Sequence, residues 1–266
     1  MNARNRREEI VRLARTRGVL SVESLSETLG VTASTIRRDL ARLTADGALA
    51  RTYGGVMAMT PHPESGLAER SEQATAAKRA IGDWCAAQVT AGETVLLDAG
   101  TTSAQVARAL RGTTPLDAVT VGLTPLGQLS GVDGIEVTLL GGRLRDISQG
   151  FVGPLTEAAL ERLTFDAVFL GADAVTAEDG VCEATLEQTR LKELMARRAA
   201  RVYVVAHAEK LGKRPFHAWA ALAPGWTLVT DDGATDAQVA PFEARGITVV
   251  RVDTQDESSS GPDRPA

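Results

Sequence analysis

Long apolar runs are absent from this chain. None of its 266 residues falls in an uninterrupted apolar stretch of membrane length, and Met1-Asn2-Ala3-Arg4 opens the chain without an apolar leader core. Neither a membrane span nor a secretory leader is expected, and a cytoplasmic location is. Cysteine is scarce too. Cys85 and Cys182 stand far apart in apolar or mixed surroundings, which argues for reduced thiols rather than a disulfide or a metal pair. His62, His207 and His217 have no ligand spacing with them, so neither a metal site nor a cofactor is expected. Aromatics are few at 4%, but 44% of the residues are hydrophobic, enough at this length for two domains or one large one.

Positive charge is short overall, at a net −5, but its distribution is uneven. Residues 1–60 carry ten Lys or Arg against six acids, a net +4, which leaves −9 for the remainder. A basic head on an acidic body suits phosphate neutralisation by one module while the rest of the protein avoids adhering to nucleic acid.

The head is organised around Val31-Thr32-Ala33-Ser34-Thr35-Ile36-Arg37-Arg38-Asp39-Leu40. Thr32 stands at a helix N-cap, and Ile36, Leu40 and Leu43 follow at i, i+4 and i+7 as one apolar stripe. The opposite face carries Ser34, Arg38 and Ala41, flanked by Arg37 and Arg42. Alone, this would equally describe a solvated amphipathic helix with ordinary surface arginines. Its neighbours favour a helix entering a DNA major groove, where arginine forks onto guanine. Ile10, Leu13 and Ala14 mark a first helix over 6–17 that Gly18 ends, Ser21 caps a second, and Gly30 makes the turn: the helix-turn-helix order. A glycine-containing hairpin over 48–57 follows, where a winged variant keeps its wing. Thr32, Ser34, Thr35, Arg37, Arg38 and Arg42 on the helix, with Arg51, Tyr53 and Gly54 on the wing, are the candidate DNA contacts.

Pro61, Pro63, Ser65 and Gly66 mark a stiff linker, giving a winged head over 1–58, a linker over 59–68, a body over 69–252 and a Ser-, Pro- and acid-rich disordered tail over 253–266. In the body the spacing predicts one long helix over 67–89, with Ala76, Ala80, Ile81, Trp84 and Val89 on its buried side. Apolar strands then alternate with helices: 94–97, 119–121, 135–140, 166–170, 202–206, 228–230 and 247–250. Strands hydrophobic throughout and separated by helices make a mostly parallel sheet covered on both faces, an α/β fold.

Ligands of such sheets bind beyond the carboxyl ends of the strands. One such end reads Asp98-Ala99-Gly100-Thr101-Thr102-Ser103: a glycine, then three hydroxyls at a helix N-terminus, a natural phosphate site. The same run would also serve as an ordinary capped turn. Gly141-Gly142-Arg143 and Gly171-Ala172-Asp173 sit at two further strand ends, and Lys210 offers a cation, though its spacing fits a surface lysine equally well.

The strings Thr35-Ile36-Arg37-Arg38-Asp39-Leu40, Gly47 and Arg51-Thr52-Tyr53-Gly54-Gly55 resemble the DNA-binding domain of the DeoR family of bacterial repressors. Leu97 to Thr102, Leu140 to Arg145, Phe169 to Asp173, Gly180 to Thr185, Lys192 and Lys210-Leu211-Gly212 resemble that family's sensor domain, which is similar in fold to ribose 5-phosphate isomerase. The resemblance implies a repressor of a carbohydrate operon controlled by a phosphorylated sugar, with Asp98, Gly100, Thr101, Thr102, Ser103, Gly141, Gly142, Arg143, Asp173 and Lys210 around the effector. Double-stranded operator DNA, a small phosphosugar and a homo-oligomer (dimer or tetramer) are the expected partners. Leu123-Thr124-Pro125 and Ala206-His207-Ala208-Glu209-Lys210 depart from the family pattern and bear on ligand identity. A rival reading is a sugar-phosphate isomerase with a DNA-binding head, but isomerisation needs an appropriately placed carboxylate base. The acid-rich string of such enzymes is reduced here to Leu170-Gly171-Ala172-Asp173-Ala174. A third possibility is a DNA scaffold whose sensor is empty.

Overall fold

The structure, a computed structural model, describes residues 3–17, 20–45, 49–52, 55–58, 64 and 66–254. The chain divides into two compact units, Met1–Glu64 and Ser65–Ala266. Gly18, most of the expected linker and the tail from residue 255 lie outside the described residues. Among those described, no helix is long and apolar enough to cross a membrane.

In the first unit α1 (Ala3–Arg17), α2 (Val22–Leu29) and α3 (Ala33–Ala45) bury Ile10, Leu13, Ala14, Leu25, Ile36, Leu40 and Leu43 in one core. The Ser21 hydroxyl caps α2 by accepting from Ser24 N at 3.1 Å. Gly30 ends α2 at φ +63°, a left-handed conformation that a Cβ would disfavour. Thr32 caps α3 by accepting from Thr35 N at 3.3 Å. Asp39, buried on α3, holds Arg6 Nε at 2.6 Å and so ties α1 to α3. Strand β1 (Leu49–Thr52) pairs antiparallel with β2 (Gly55–Ala58) in the expected hairpin.

The second unit begins with α4 (Leu67–Glu72) and α5 (Thr75–Ala87), followed by β3 (Thr94–Leu97), α6 (Thr101–Leu110), β4 (Leu116–Thr120), α7 (Leu123–Leu129) and β5 (Ile135–Leu139). A hairpin of β6 (Arg143–Arg145) and β7 (Gly150–Val152) leads to α8 (Pro154–Leu160) and β8 (Phe165–Leu170). Next come β9 (Ala174–Thr176), β10 (Gly180–Glu183), α9 (Leu186–Arg197), β11 (Ala199–Val205), β12 (Ala218–Ala220), β13 (Thr227–Asp231), α10 (Asp236–Glu243) and β14 (Thr248–Val252). Seven strands form one parallel sheet in the order β14-β13-β11-β8-β3-β4-β5. Val95, Leu97, Ala167 and Phe169 face α5 and α6, while Leu96, Val168 and Leu170 face α8 and α9. Burial on both faces is why β3 and β8 read as apolar runs, whereas the edge strand β5 alternates half-buried Ile135, Val137 and Leu139 with exposed Glu136 and Thr138.

Two expectations are corrected. The helix over 67–89 is broken, because Gln73 is extended and Ala74 left-handed (φ +49°) between α4 and α5. Lys78 stabilises the break from α5: its Nζ donates to the carbonyls of Gln73, at 2.7 Å, and Arg70, at the end of α4. Of the residues expected on its buried side, Ile81 and Val89 are buried, Ala80 and Trp84 are half-buried and Ala76 is exposed, while Ala77 and Cys85 complete the face. The second correction is a small antiparallel sheet, β12-β10-β9, that the strand pattern did not indicate. Its three- and four-residue strands are too short to show a period.

Candidate functional site

On α3, Thr32, Ser34, Arg37, Arg38 and Arg42 are exposed and Thr35 is half-buried. The hydroxyls of Thr32 and Thr35 lie 3.0 Å apart, and Arg38 Nε reaches back to the Ser34 carbonyl at 3.4 Å. The face opposite the apolar stripe thus presents small hydroxyls at the N-terminus beside three guanidiniums. Arg51 lies on β1 with its side chain outside the described residues, as Tyr53 and Gly54 are altogether.

The second site follows from sheet topology. The chain runs outward through β3, β4 and β5, then returns to the other side of β3 and proceeds the opposite way through β8, β11, β13 and β14. The reversal between β3 and β8 is a topological switch point, where loops diverge and leave a crevice beyond the strand ends. Asp98–Ser103 leaves β3 and Gly171–Asp173 leaves β8 at that crevice. Both line a cavity of about 630 Å³, part of it open to solvent.

Asp98 joins the two strand ends. Its Oδ1 accepts from Ala99 N at 2.7 Å, and its Oδ2 accepts from Gly171 N at 3.0 Å and from Lys192 Nζ. Gly100 takes φ +124° as α6 begins, and Thr124 fastens it by accepting from Gly100 N at 3.2 Å and donating to Gly100 O at 3.1 Å. The first helical bond, Ala104 N to Gly100 O at 3.0 Å, leaves the N–H groups of Thr101, Thr102 and Ser103 without partners inside the helix. Ser103 Oγ is fully buried with no hydrogen-bond partner. A Cβ added to Gly171 would meet that oxygen at 3.7 Å, so it faces the end of β8.

The cavity's charges are nearly balanced. Lys192 contacts Asp98, Glu183 Oε1 at 3.0 Å and the Gly171 carbonyl at 2.9 Å. Burial opposes its charge, but the two carboxylates outweigh burial and raise its pKa. One cation cannot compensate two buried acids, and Asp98 has two backbone donors besides. Burial therefore pushes Glu183 up to about 8, with Asp173 and Asp98 adding to the rise against Lys192. Gln188 Nε2 donates to the second Glu183 oxygen at 2.8 Å. Lys210 donates to the Ala172 carbonyl, and burial lowers its pKa. Arg70, from α4, reaches Asp173 Oδ1 at 3.3 Å and the Ile147 carbonyl at 3.1 Å.

The cavity therefore brings together Asp98, Gly100, Thr101, Thr102, Ser103, Asp173 and Lys210 from the ends of three strands, β3, β8 and β11, and the start of α6. It does not include Gly141, Gly142 or Arg143. The glycine pair serves packing instead: a Cβ on Gly142 would lie 2.2 Å from Thr156 Oγ1, and Thr156 donates to Gly141 O at 2.9 Å. Arg143 is exposed and pairs with Glu187. Residue spacing had not singled out Arg70, Glu183, Gln188 or Lys192 as cavity residues. A signal existed for Lys192, which interrupts the apolar face of α9 made by Leu191 and Met195. Among the described residues, no group of three or more His, Cys, Asp or Glu could hold a metal.

Fold and site together define a helix-turn-helix head joined to a doubly wound body with a polar switch-point cavity. Residues 6–62 match the DeoR-like helix-turn-helix domain and residues 73–232 the DeoR C terminal sensor domain. The chain is 38% identical over 250 residues to the HTH-type transcriptional regulator GlpR of Haloferax volcanii, covering 92% of this chain and 96% of that one. It is 30% identical to the transcriptional repressor AccR of Agrobacterium fabrum (94% and 98% covered) and 30% identical to a lactose phosphotransferase system repressor of Streptococcus mutans (87% and 93%). Half of the chain also overlaps ribose 5-phosphate isomerase A from Neisseria gonorrhoeae (52% of that chain) at 18% identity and a TM-score of 0.37, and nothing functional rests on that overlap. The chain belongs to the DeoR family and is a DNA-binding transcriptional regulator, not an enzyme.

Proposed function

We propose that this protein represses a carbohydrate-metabolism operon as a homo-oligomer and leaves its operator when a phosphorylated sugar occupies the switch-point cavity. The observation that carries the reading is the start of α6, where three backbone N–H groups, the Thr101 and Thr102 hydroxyls and the partnerless Ser103 Oγ converge on one buried space. Donors at a helix N-terminus favour a dianion, and phosphate supplies one. Lys210 adds positive charge, and Asp173 is placed to hold sugar hydroxyls. Asp98 is already committed to Lys192 and two backbone N–H groups, so its part is to hold the site's shape. The name of the Streptococcus mutans relative points the same way on substrate class. In the head, Thr32, Ser34, Thr35, Arg37, Arg38 and Arg42 would face the groove, and Arg51, Tyr53 and Gly54 the adjoining backbone.

The test is a melting-temperature screen with ribose 5-phosphate, fructose 1-phosphate, glucose 6-phosphate and galactose 6-phosphate against inorganic phosphate, followed by operator release with each sugar phosphate that stabilises. Thr101→Val with Thr102→Val keeps shape and removes two hydroxyls. The double variant is expected to bind operator as wild type does and to lose the response. Release at the wild-type sugar-phosphate concentration would place the phosphate elsewhere.

A further inference from the structure

The cavity's charged lining comes from the sheet, its loops and α9, with one exception. Arg70 belongs to α4, a six-residue helix that begins only three positions after Glu64, where the head unit ends. Its guanidinium lines the cavity, bonded to Asp173 beyond β8 and to the Ile147 carbonyl in the loop between β6 and β7. Behind it, α4 is separated from α5 by the extended Gln73 and the left-handed Ala74, a conformation that strains an alanine. None of the residues of α4 is buried, whereas Ala77, Ile81 and Cys85 of α5 are packed into the core. The helix is thus held at its far end by the Lys78 bonds to the Arg70 and Gln73 carbonyls, and at its cavity side by Arg70.

We propose that α4 is a latch and Arg70 its catch: occupancy of the cavity by an anion draws the guanidinium away from Asp173, and the displacement of α4 carries the signal into the linker. The inference rests on the phosphosugar reading of the cavity but adds the residue that reports it. A guanidinium prefers a doubly charged phosphate, which accepts two parallel N–H bonds, to a carboxylate that Lys210 also attracts. The Asp173 bond, at 3.3 Å, is long for a charge-assisted pair. The break at Gln73 and Ala74 lets α4 turn without disturbing the packed face of α5.

The experiment uses full-length protein and the variants Arg70→Met, Arg70→Lys and Asp173→Asn. A ligand-independent arm measures hydrogen exchange in the apo protein. Exchange of the amides of residues 70–73 is expected to rise about tenfold or more in Arg70→Met and Asp173→Asn, with α5 beyond Ile81 unchanged. Wild-type exchange of α4 in both variants would overturn the latch. The second arm measures the affinity of a sugar phosphate from the screen with and without operator DNA. The ratio, expected at roughly 5–150 for wild type, should fall to near one in Arg70→Met, with intermediate coupling in Arg70→Lys. Arg70→Met that binds the sugar phosphate and retains the wild-type ratio overturns the proposal. If wild type binds none of the sugar phosphates, the effector reading fails by itself, and the exchange arm still decides whether Arg70 and Asp173 hold α4.

Discussion

Lys192, Asp98 and Glu183 share one buried site with one positive charge for two acids, and the pH behaviour of the protein follows from which acid keeps its proton. Glu183 rises from 4.5 to about 8 by burial, so the folded state binds that proton more tightly than the unfolded chain. The stability this proton contributes is complete below 4.5 and is lost as pH climbs through about 8. Three groups act in the other direction. Burial lowers His207 from 6.5 to about 3, so stability gains as pH rises between those values. Burial also lowers Lys78 from 10.5 to about 8, and lowers Lys210 as well, and each adds stability as pH rises through its folded value. Between pH 6.5 and 8 the Glu183 contribution stands clear of His207, and comparison with a Glu183 variant separates it from Lys210. We expect the melting temperature of wild type to fall relative to that of Glu183→Gln across that interval, the variant keeping a hydrogen-bonding amide beside Gln188. A parallel decline in the variant would refute the assignment.

At the scale of elements, α3 and the α5–α6 pair carry separate predictions. Arg38 extends along the exposed face of α3 to the Ser34 carbonyl, close to the first-turn residues that would meet base edges. Arg38→Ala should cost roughly 1–3 kcal/mol of discrimination between operator and scrambled DNA. Arg51→Ala, on the wing strand, should weaken both DNAs alike and flatten the salt dependence. Titration of both variants at two salt concentrations checks the pair, and equal small losses would remove the distinction. In the body, α5 crosses α6 so closely that a Cβ on Gly82 would lie 2.6 Å from the backbone of Gln105. Backbone cannot move aside as a side chain can, so Gly82→Ala should destabilise by about 1–3 kcal/mol in urea unfolding. Because α6 carries Thr101–Ser103, the same variant should also weaken any sugar-phosphate stabilisation.

For the whole molecule, one winged head sits at the small end of specific DNA interfaces. Tight operator binding is therefore expected from at least a dimer on repeated half-sites, assembled mainly through the acidic body. Light scattering at micromolar concentration checks this, and a monomer that still binds operator tightly would refute it. If a sugar phosphate releases operator, linkage requires sugar-phosphate and operator affinities to change by one reciprocal factor, whatever path couples the two sites.

The head was legible in the sequence because its information is local. Ser21, Gly30 and Thr32 act within four residues of themselves, and Ile36, Leu40 and Leu43 form a stripe along a single helix. The parallel body was legible for a similar reason, since strands buried on both faces read as continuous apolar runs. So was the helix start at Asp98–Ser103, where a glycine and hydroxyls mark the beginning of α6. Strand order was not, because apolar strands carry no mark of their neighbours, and the reversal between β3 and β8 arises only when crossover helices pack on both faces. The break of α4 from α5 depended on Lys78 reaching back to two carbonyls, and the packing role of Gly142 on Thr156, fourteen residues further along. The charges of the cavity were settled later still. Lys192 lies 94 residues from Asp98, and Arg70 lies 103 from Asp173, distances over which no periodicity extends. Only burial in a common space makes one lysine answer for two acids and brings an arginine from the first helix of the body into the lining of the site.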